Sequence, residues 1–118
     1  MSTHRLQRLQ EEVHREVSAI LLFEVTDPLL RGLIITRALM TKDLSLARIY
    51  YEAPGSEKDR PLFQQGLERA KGFIRKQLSV RLPLKTIPKL EFFHDDLQEE
   101  ISRVDELFSK IDKTSDRT

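Results

Sequence analysis

An amphipathic helical pattern runs through residues 63–82, FQQGLERAKGFIRKQLSVRL. Its apolar stripe recurs at three- and four-residue steps, at Phe63, Leu67, Ala70, Ile74 and Leu78. At about 100° per residue, Gly72 falls almost opposite this stripe, on the outward face. A glycine inside a helix costs about 1 kcal/mol relative to alanine, and close helix packing does not explain it on an outward face. Either the helix bends at Gly72, or the backbone of a ligand approaches there.

The same segment opens a block of positive charge. Every charged residue between Glu68 and Glu91 is basic: Arg69, Lys71, Arg75, Lys76, Arg81, Lys85 and Lys89. The net charge of +1 hides this block, because an acidic stretch interrupted only by Arg103 follows it, from Glu91 to Glu106. A basic block attracts phosphate backbones through counterion release. Nucleic acid is therefore the first partner to consider, although such a block can also be only a solvated face.

The N-terminal half predicts a helix followed by a β-hairpin. Apolar residues recur at helical spacing from Leu6 to Val25, and Asp27-Pro28 ends the pattern. Residues 33–40 and 46–52 are rich in β-branched, aromatic and aliphatic residues, and a short polar link joins them. We expect an antiparallel hairpin whose second strand turns Ala47, Ile49 and Tyr51 towards the core.

The C-terminal half predicts a third strand and a last helix. Residues 89–94 alternate so that Leu90 and Phe92 point one way while Glu91 and Phe93 point the other. Asp95 or Asp96 then caps a helix whose apolar side is formed by Leu97, Ile101, Val104, Leu107, Phe108 and Ile111. The complete order predicts an α+β sandwich with helices on one face of a small sheet.

Composition limits the class of protein. A chain of 118 residues is the size of one domain, and the absence of cysteine removes disulfides, thiolate metal sites and cysteine nucleophiles. The longest apolar run, residues 19–23, is too short to cross a membrane, so we expect a soluble, cytoplasmic protein.

Catalytic and metal-binding patterns are missing. The sequence has no phosphate-binding P-loop, nucleophile elbow, HEXXH or dinucleotide fingerprint, so we expect no enzymatic activity and no cofactor. His4, His14 and His94 lack ligand spacing, which argues against a metal site, and His14 is expected on the exposed flank of the first helix. Asp95 and Asp96 could form an acid–base pair, but capping a helix start is the favoured interpretation.

Several segments together resemble the ribosome-binding factor A family, small bacterial proteins with a type II KH-like fold. They are residues 5–9 (RLQRL), 24–28 (EVTDP), 35–36 (IT), 42–50 (KDLSLARIY), 70–75 (AKGFIR), 88–92 (PKLEF) and 95–96 (DD). The resemblance implies a three-stranded sheet with helices packed on one face. It also implies a kinked helix–helix junction at Ala70-Lys71-Gly72, at the place where many KH domains have a GXXG loop. With the size of the chain and the polar composition of its last residues, we expect one KH-like domain over residues 1–112 and a short polar tail at 113–118.

The resemblance further implies a function and a set of contacts. The family binds the small (30S) ribosomal subunit during its late maturation, which includes 16S rRNA processing. The expected partners are therefore that subunit and 16S ribosomal RNA, with no membrane partner, and we expect a monomer. The predicted RNA-binding residues are Arg5, Arg8, Arg69, Lys71, Gly72, Arg75, Lys76, Arg81 and Lys85.

Other functions stay open at the level of sequence. A protein-interaction adaptor would use the acidic last helix, through Glu99, Glu100 and Glu106. A general single-stranded RNA binder would bind short unstructured oligonucleotides, which we do not expect without a GXXG loop. Tyr50 and Phe93 could stack on bases, although aromatic residues at strand spacing are more often packed under a helix.

Overall fold

The computed structural model describes residues 3–96, which form two helices, two 3₁₀ turns and three strands. The predicted last helix and the predicted domain boundary between residues 112 and 113 lie outside the described residues. Within residues 3–96, no helix is both long enough and apolar enough to span a bilayer.

Helix α1, Thr3–Phe23, supplies one side of the core. Val13, Val17 and Ile20 are completely buried, as their helical spacing predicts. A 3₁₀ turn follows at Pro28–Gly32, and the Oδ1 atom of Asp27 caps it by accepting a hydrogen bond of 3.0 Å from the backbone N–H of Leu29. The expected stop at Asp27-Pro28 is therefore confirmed within a few residues.

The sheet contains β1 (Ile34–Met40), β2 (Leu46–Glu52) and β3 (Lys89–His94), in the order β1-β2-β3. Strands β1 and β2 are antiparallel, whereas β2 and β3 are parallel. Ala47, Ile49 and Tyr51 are buried, as predicted. The burial alternates along the strands, so both described helices pack on one face of the sheet. This confirms the predicted α+β architecture.

Helix α2, Arg60–Arg81, packs Phe63, Leu67, Ile74 and Leu78 into the same core. It continues through Gly72 as one helix, and a bend at Ala70-Lys71-Gly72 stays a prediction. The helix continues because Ile74 and Leu78 stay in phase with Phe63 and Leu67. Their burial outweighs the roughly 1 kcal/mol that one interior glycine costs.

The β1–β2 turn is held by one carboxylate. Asp43 accepts hydrogen bonds from the Thr41 hydroxyl (2.7 Å), the Ser45 hydroxyl (2.8 Å) and the Ser45 backbone N–H (3.1 Å). The hydrogen bond from Thr41 and then those from Ser45 lower the pKa of Asp43 from 3.8 to about 2. The charged carboxylate therefore holds the hairpin turn at neutral pH.

This turn gives a pH-dependent prediction. Because the pKa of Asp43 is lower in the folded chain, its contribution to stability is complete above pH 3.8 and disappears as the pH falls through about 2. An NMR titration of the Asp43 carboxyl carbon should have its midpoint near pH 2, and Thr41→Val should move the midpoint upwards. A wild-type midpoint near 3.8 would contradict this account of the turn.

Candidate nucleic-acid interface

Gly72 lies at an open point of the α2 surface. A Cβ atom added to it would have no heavy atom within 4 Å, apart from the backbone of its own helix and its chain neighbours. The predicted outward placement of this glycine is therefore confirmed. Since the peptide carries no side chain there, another backbone can approach it closely.

A groove of about 480 Å³ opens beside Gly72, between α2 and the loop that leads into β3. We call it the basic groove, and its lining residues are Gly72, Arg75, Lys76, Ser79, Lys85, Thr86 and Ile87. None of the described residues that line it is acidic. Three cations, two hydroxyl groups and a bare peptide are the groups that proteins use to bind phosphate oxygens.

Arg75 is fixed in the wall of the basic groove. Its Nη2 donates to the carbonyl oxygen of Ile87 at 2.8 Å, and its Nε donates to that of Pro88 at 3.2 Å. A guanidinium has more donors than these two carbonyls use, so Arg75 can bind a phosphate while it holds the loop. Arg75 consequently joins α2 to the start of β3 and also contributes charge to the basic groove.

A second groove of about 500 Å³ lies on the other side of Gly72, towards β3. Lys71 and Lys89 line it, together with Glu68 and Glu91. The Nζ atom of Lys71 is 2.6 Å from Oε2 of Glu68, so this cation is partly neutralised. Lys89 was not among the predicted contacts, although it belongs to the same basic block and begins β3 beside Gly72.

Arg81 is engaged elsewhere, between the two helices. Its Nη1 donates to Oε2 of Glu16 at 3.0 Å, and its Nη2 is paired with Oε1 of Glu24. The hydrogen bond to Glu16 raises the pKa of the Arg81 guanidinium. Arg81 therefore connects the end of α2 to α1, which is a structural role that the sequence alone did not reveal.

Arg69 also faces away from the basic groove. Its Nη2 is 4.0 Å from Oδ2 of Asp27, and it lines a separate cavity of about 350 Å³ with Leu30, Ala70 and Phe73. Arg69 is one of the predicted RNA-binding residues, but the turn after α1 brings Asp27 to it on another side of the helix.

Arg5 and Arg8 are exposed on the first turns of α1 and do not line either groove at Gly72. The side chain of Gln10 accepts a hydrogen bond of 2.9 Å from the N–H of Met40, so this part of α1 lies at the hairpin end of β1. Lys89 lies at the same end of the sheet, where its N–H donates to the carbonyl oxygen of Ser45 at 2.9 Å. Arg5 and Arg8 thus share an end of the sheet with the grooves but lie over the opposite edge.

The residues considered for acid–base catalysis or metal binding have partners within the fold. Asp96 lies 2.7 Å from Nδ1 of His94 and 3.5 Å from Arg60, and the buried Asp95 accepts a hydrogen bond from Thr36. His14 is half-buried rather than on an exposed flank, because its Nε2 lies 2.6 Å from the carbonyl oxygen of Ile35. In the part of the chain that the structure describes, no three His, Asp or Glu residues are grouped as metal ligands.

The role of Arg81 can be tested separately from the groove. We expect Arg81→Gln to lower the thermal midpoint, because Glu16 and Glu24 lose their shared partner, while affinity for RNA stays within about twofold of wild type. Thermal unfolding and a binding titration on the same samples measure the two effects. An unchanged midpoint with lost binding would instead make Arg81 an RNA contact.

Comparison with known proteins agrees with this geometry. The family model described as ribosome-binding factor A matches residues 5–108. Ribosome-binding factor A of Streptococcus mutans serotype c is 39% identical over 114 residues, which are 96% of this chain and 98% of that protein. The crystal structure of ribosome-binding factor A from Thermus thermophilus has a TM-score of 0.67 at 25% identity, covering 75% of this chain and 93% of that one.

A second Thermus thermophilus structure extends the comparison. It is a homology model of ribosome-binding factor A fitted into a cryo-EM map of a complex with 30S, with a TM-score of 0.57 at 25% identity over 81% of this chain and 97% of that one. The fold and groove define a small KH-like α+β domain with a basic surface around an exposed helical glycine. The chain belongs to the ribosome-binding factor A family, as its motifs predicted.

Proposed function

We propose that this protein is a non-enzymatic assembly factor that binds the immature 30S subunit through 16S ribosomal RNA during late maturation, including 16S rRNA processing. Family membership supports ribosome binding, and the Thermus thermophilus relative was fitted into a map of its 30S complex. The observation that carries the RNA assignment is the basic groove, in which cations surround a bare peptide without an acid among the described lining residues.

The proposed contacts follow from the positions of the cations. Gly72, Arg75, Lys76 and Lys85 form the centre of the interface, with Lys71 and Lys89 beside it. Arg5 and Arg8 would reach a second RNA segment at the same end of the sheet. For Arg69 and Arg81 we propose a mainly structural role, since each is paired with an acid away from the basic groove.

Binding energy rather than covalent chemistry performs this work. Each phosphate that a lysine or arginine neutralises releases counterions, so affinity falls steeply with salt. The factor would hold rRNA elements in place as a cytoplasmic monomer and leave when maturation ends.

Sedimentation of the tagged protein through a ribosome gradient tests this function. We expect the protein to travel with small subunits and not with complete ribosomes, and nuclease treatment should release it. Protein that stays at the top of the gradient would refute the proposal. Association that survives nuclease would favour the adaptor alternative, which depends on protein contacts.

A further inference from the structure

The cavity that Arg69 lines opens between α2 and the turn that follows α1, and we call it the flank cavity. Its volume of about 350 Å³ falls within the range of sites that take a ligand or an anchoring side chain. Much of its wall is apolar, and the apolar side chains are those of Val25, Leu30, Ala70 and Phe73. Its charged lining residues are Glu24, Asp27 and Arg69.

The flank cavity and the basic groove lie on different sides of α2. Phe73 lines the cavity, whereas Arg75 lines the groove. At about 100° per residue, these two side chains are about 160° apart around the helix. RNA bound at Gly72 therefore leaves the flank cavity open to a second partner.

One acceptor in the wall of the flank cavity lacks a donor. Oε1 of Glu24 is paired with Nη2 of Arg81, whereas Oε2 of Glu24 is buried and accepts no hydrogen bond within residues 3–96. A buried carboxylate oxygen without a donor is unfavourable. Because Glu24 lines the cavity, an occupant that carries a donor can satisfy this oxygen.

Exposed apolar side chains extend the surface beside the flank cavity. Phe73 is 41% exposed, and Val80, which is 77% exposed, follows it by seven residues and so lies on the same side of α2. Phe23 is 76% exposed and precedes Glu24, whose ion pair with Arg81 joins α1 to the end of α2. Exposed apolar side chains grouped around a cavity are typical of a surface that binds another protein.

The charges around the flank cavity suit a polypeptide better than an RNA backbone. The charged residues that line it, or that pair with its lining, are Glu16, Glu24, Asp27, Arg69 and Arg81. Three acids stand against two cations, so a phosphate would meet a net negative charge. A lysine or arginine of a partner can instead lay its stem along the apolar wall and donate to Glu24.

We propose that the flank cavity binds a protein of the immature small subunit, through a segment that places an apolar side chain against Phe73 and a lysine or arginine beside Glu24. The inference rests on the function proposed above, because it takes the partner from that subunit. The factor then holds RNA at Gly72 and a protein segment on the other side of α2. The segment EVTDP also gains a role, since residues 24–27 line the cavity.

Two affinities of Phe73→Ala test the proposal, one for purified immature small subunits and one for protein-free 16S rRNA. Loss of the aromatic anchor should lower the affinity for the subunits at least about tenfold, while the affinity for the rRNA stays within about twofold of wild type. Phe93→Ala is the matched control, because Phe93 is 40% exposed but lies on β3 and does not line the cavity. It should keep both affinities, and the thermal midpoint of each variant verifies the fold.

Photocrosslinking shows what occupies the flank cavity. In the complex with immature subunits, p-benzoylphenylalanine in place of Phe73 should crosslink to a small-subunit protein, and in place of Lys76 it should crosslink to 16S rRNA. Crosslinks from position 73 only to RNA, or only to a second copy of this chain, would overturn the proposal.

The outcomes also separate this inference from the proposed function. Wild-type protein that bound neither subunits nor rRNA would refute the proposed function, and this inference with it. Wild-type binding to both, with an unchanged subunit affinity in Phe73→Ala or an equal loss of both affinities, would overturn only the protein contact at the flank cavity.

Discussion

The double variant Lys76→Glu and Lys85→Glu is expected to lose comigration with small ribosomal subunits. Both lysines are exposed in the basic groove, and reversal replaces two attractive charges by two that repel phosphate. Affinity should fall roughly a hundredfold or more near 0.1 M salt. Gradient sedimentation and a filter-binding titration measure the loss, and the thermal midpoint should stay near that of wild type.

The choice of these two lysines follows from the contacts of their neighbour. Arg75 holds the carbonyl oxygens of Ile87 and Pro88, so its reversal would disturb the loop as well as the charge. The matched control is Arg31→Glu with Lys58→Glu, which changes the net charge equally at two exposed sites in the 3₁₀ turns. Equal loss in both double variants would mean that net charge, not the basic groove, controls binding.

Gly72→Ala is expected to stabilise the protein and weaken RNA binding together. The added Cβ meets no atom within 4 Å, so the helix gains about 0.5–1 kcal/mol from the better helix former. The same methyl group stands where a sugar-phosphate backbone would approach, and affinity should fall roughly tenfold, about 1.4 kcal/mol. Thermal unfolding and a binding titration together show whether Gly72 is only a position within the helix or a point where an RNA backbone approaches.

Gly66 provides the control within the same helix. A Cβ at Gly66 would lie 3.0 Å from Cδ2 of Leu30, so Gly66→Ala should lack the gain in stability. If Gly72→Ala raised stability and left binding unchanged, the glycine would be a helix position without a ligand role.

The local pattern of the sequence predicts most of the described elements. The two-residue period of a strand correctly placed Ala47, Ile49 and Tyr51 in the core, because each strand has one buried face. It also placed Phe92 and Phe93 on opposite faces of the sheet. The strand order was left open, because the parallel pairing of β2 with β3 joins segments that are far apart in sequence.

The candidate site was predicted less completely, because it depends on contacts between different elements of the fold. Helical geometry correctly placed Gly72 on the outward face, where it lies beside Arg75 and Lys76 of the same helix. Arg81 and Arg69 were assigned to the same surface, but α1 and its following turn bring Glu16 and Asp27 to them. Such pairs depend on how α1 packs against α2, which residue spacing within either helix does not determine.

The salt dependence of binding to purified immature small subunits tests the central claim most directly. The measurement compares the slope of log affinity against log salt for wild type, for Lys76→Ala with Lys85→Ala, and for Arg31→Ala with Lys58→Ala. Because each phosphate contact contributes about 0.7–0.9 to the slope, the groove variant should lose about 1.5 units while the control keeps the wild-type slope. An unchanged slope in the groove variant would show that the basic groove does not bind the RNA backbone.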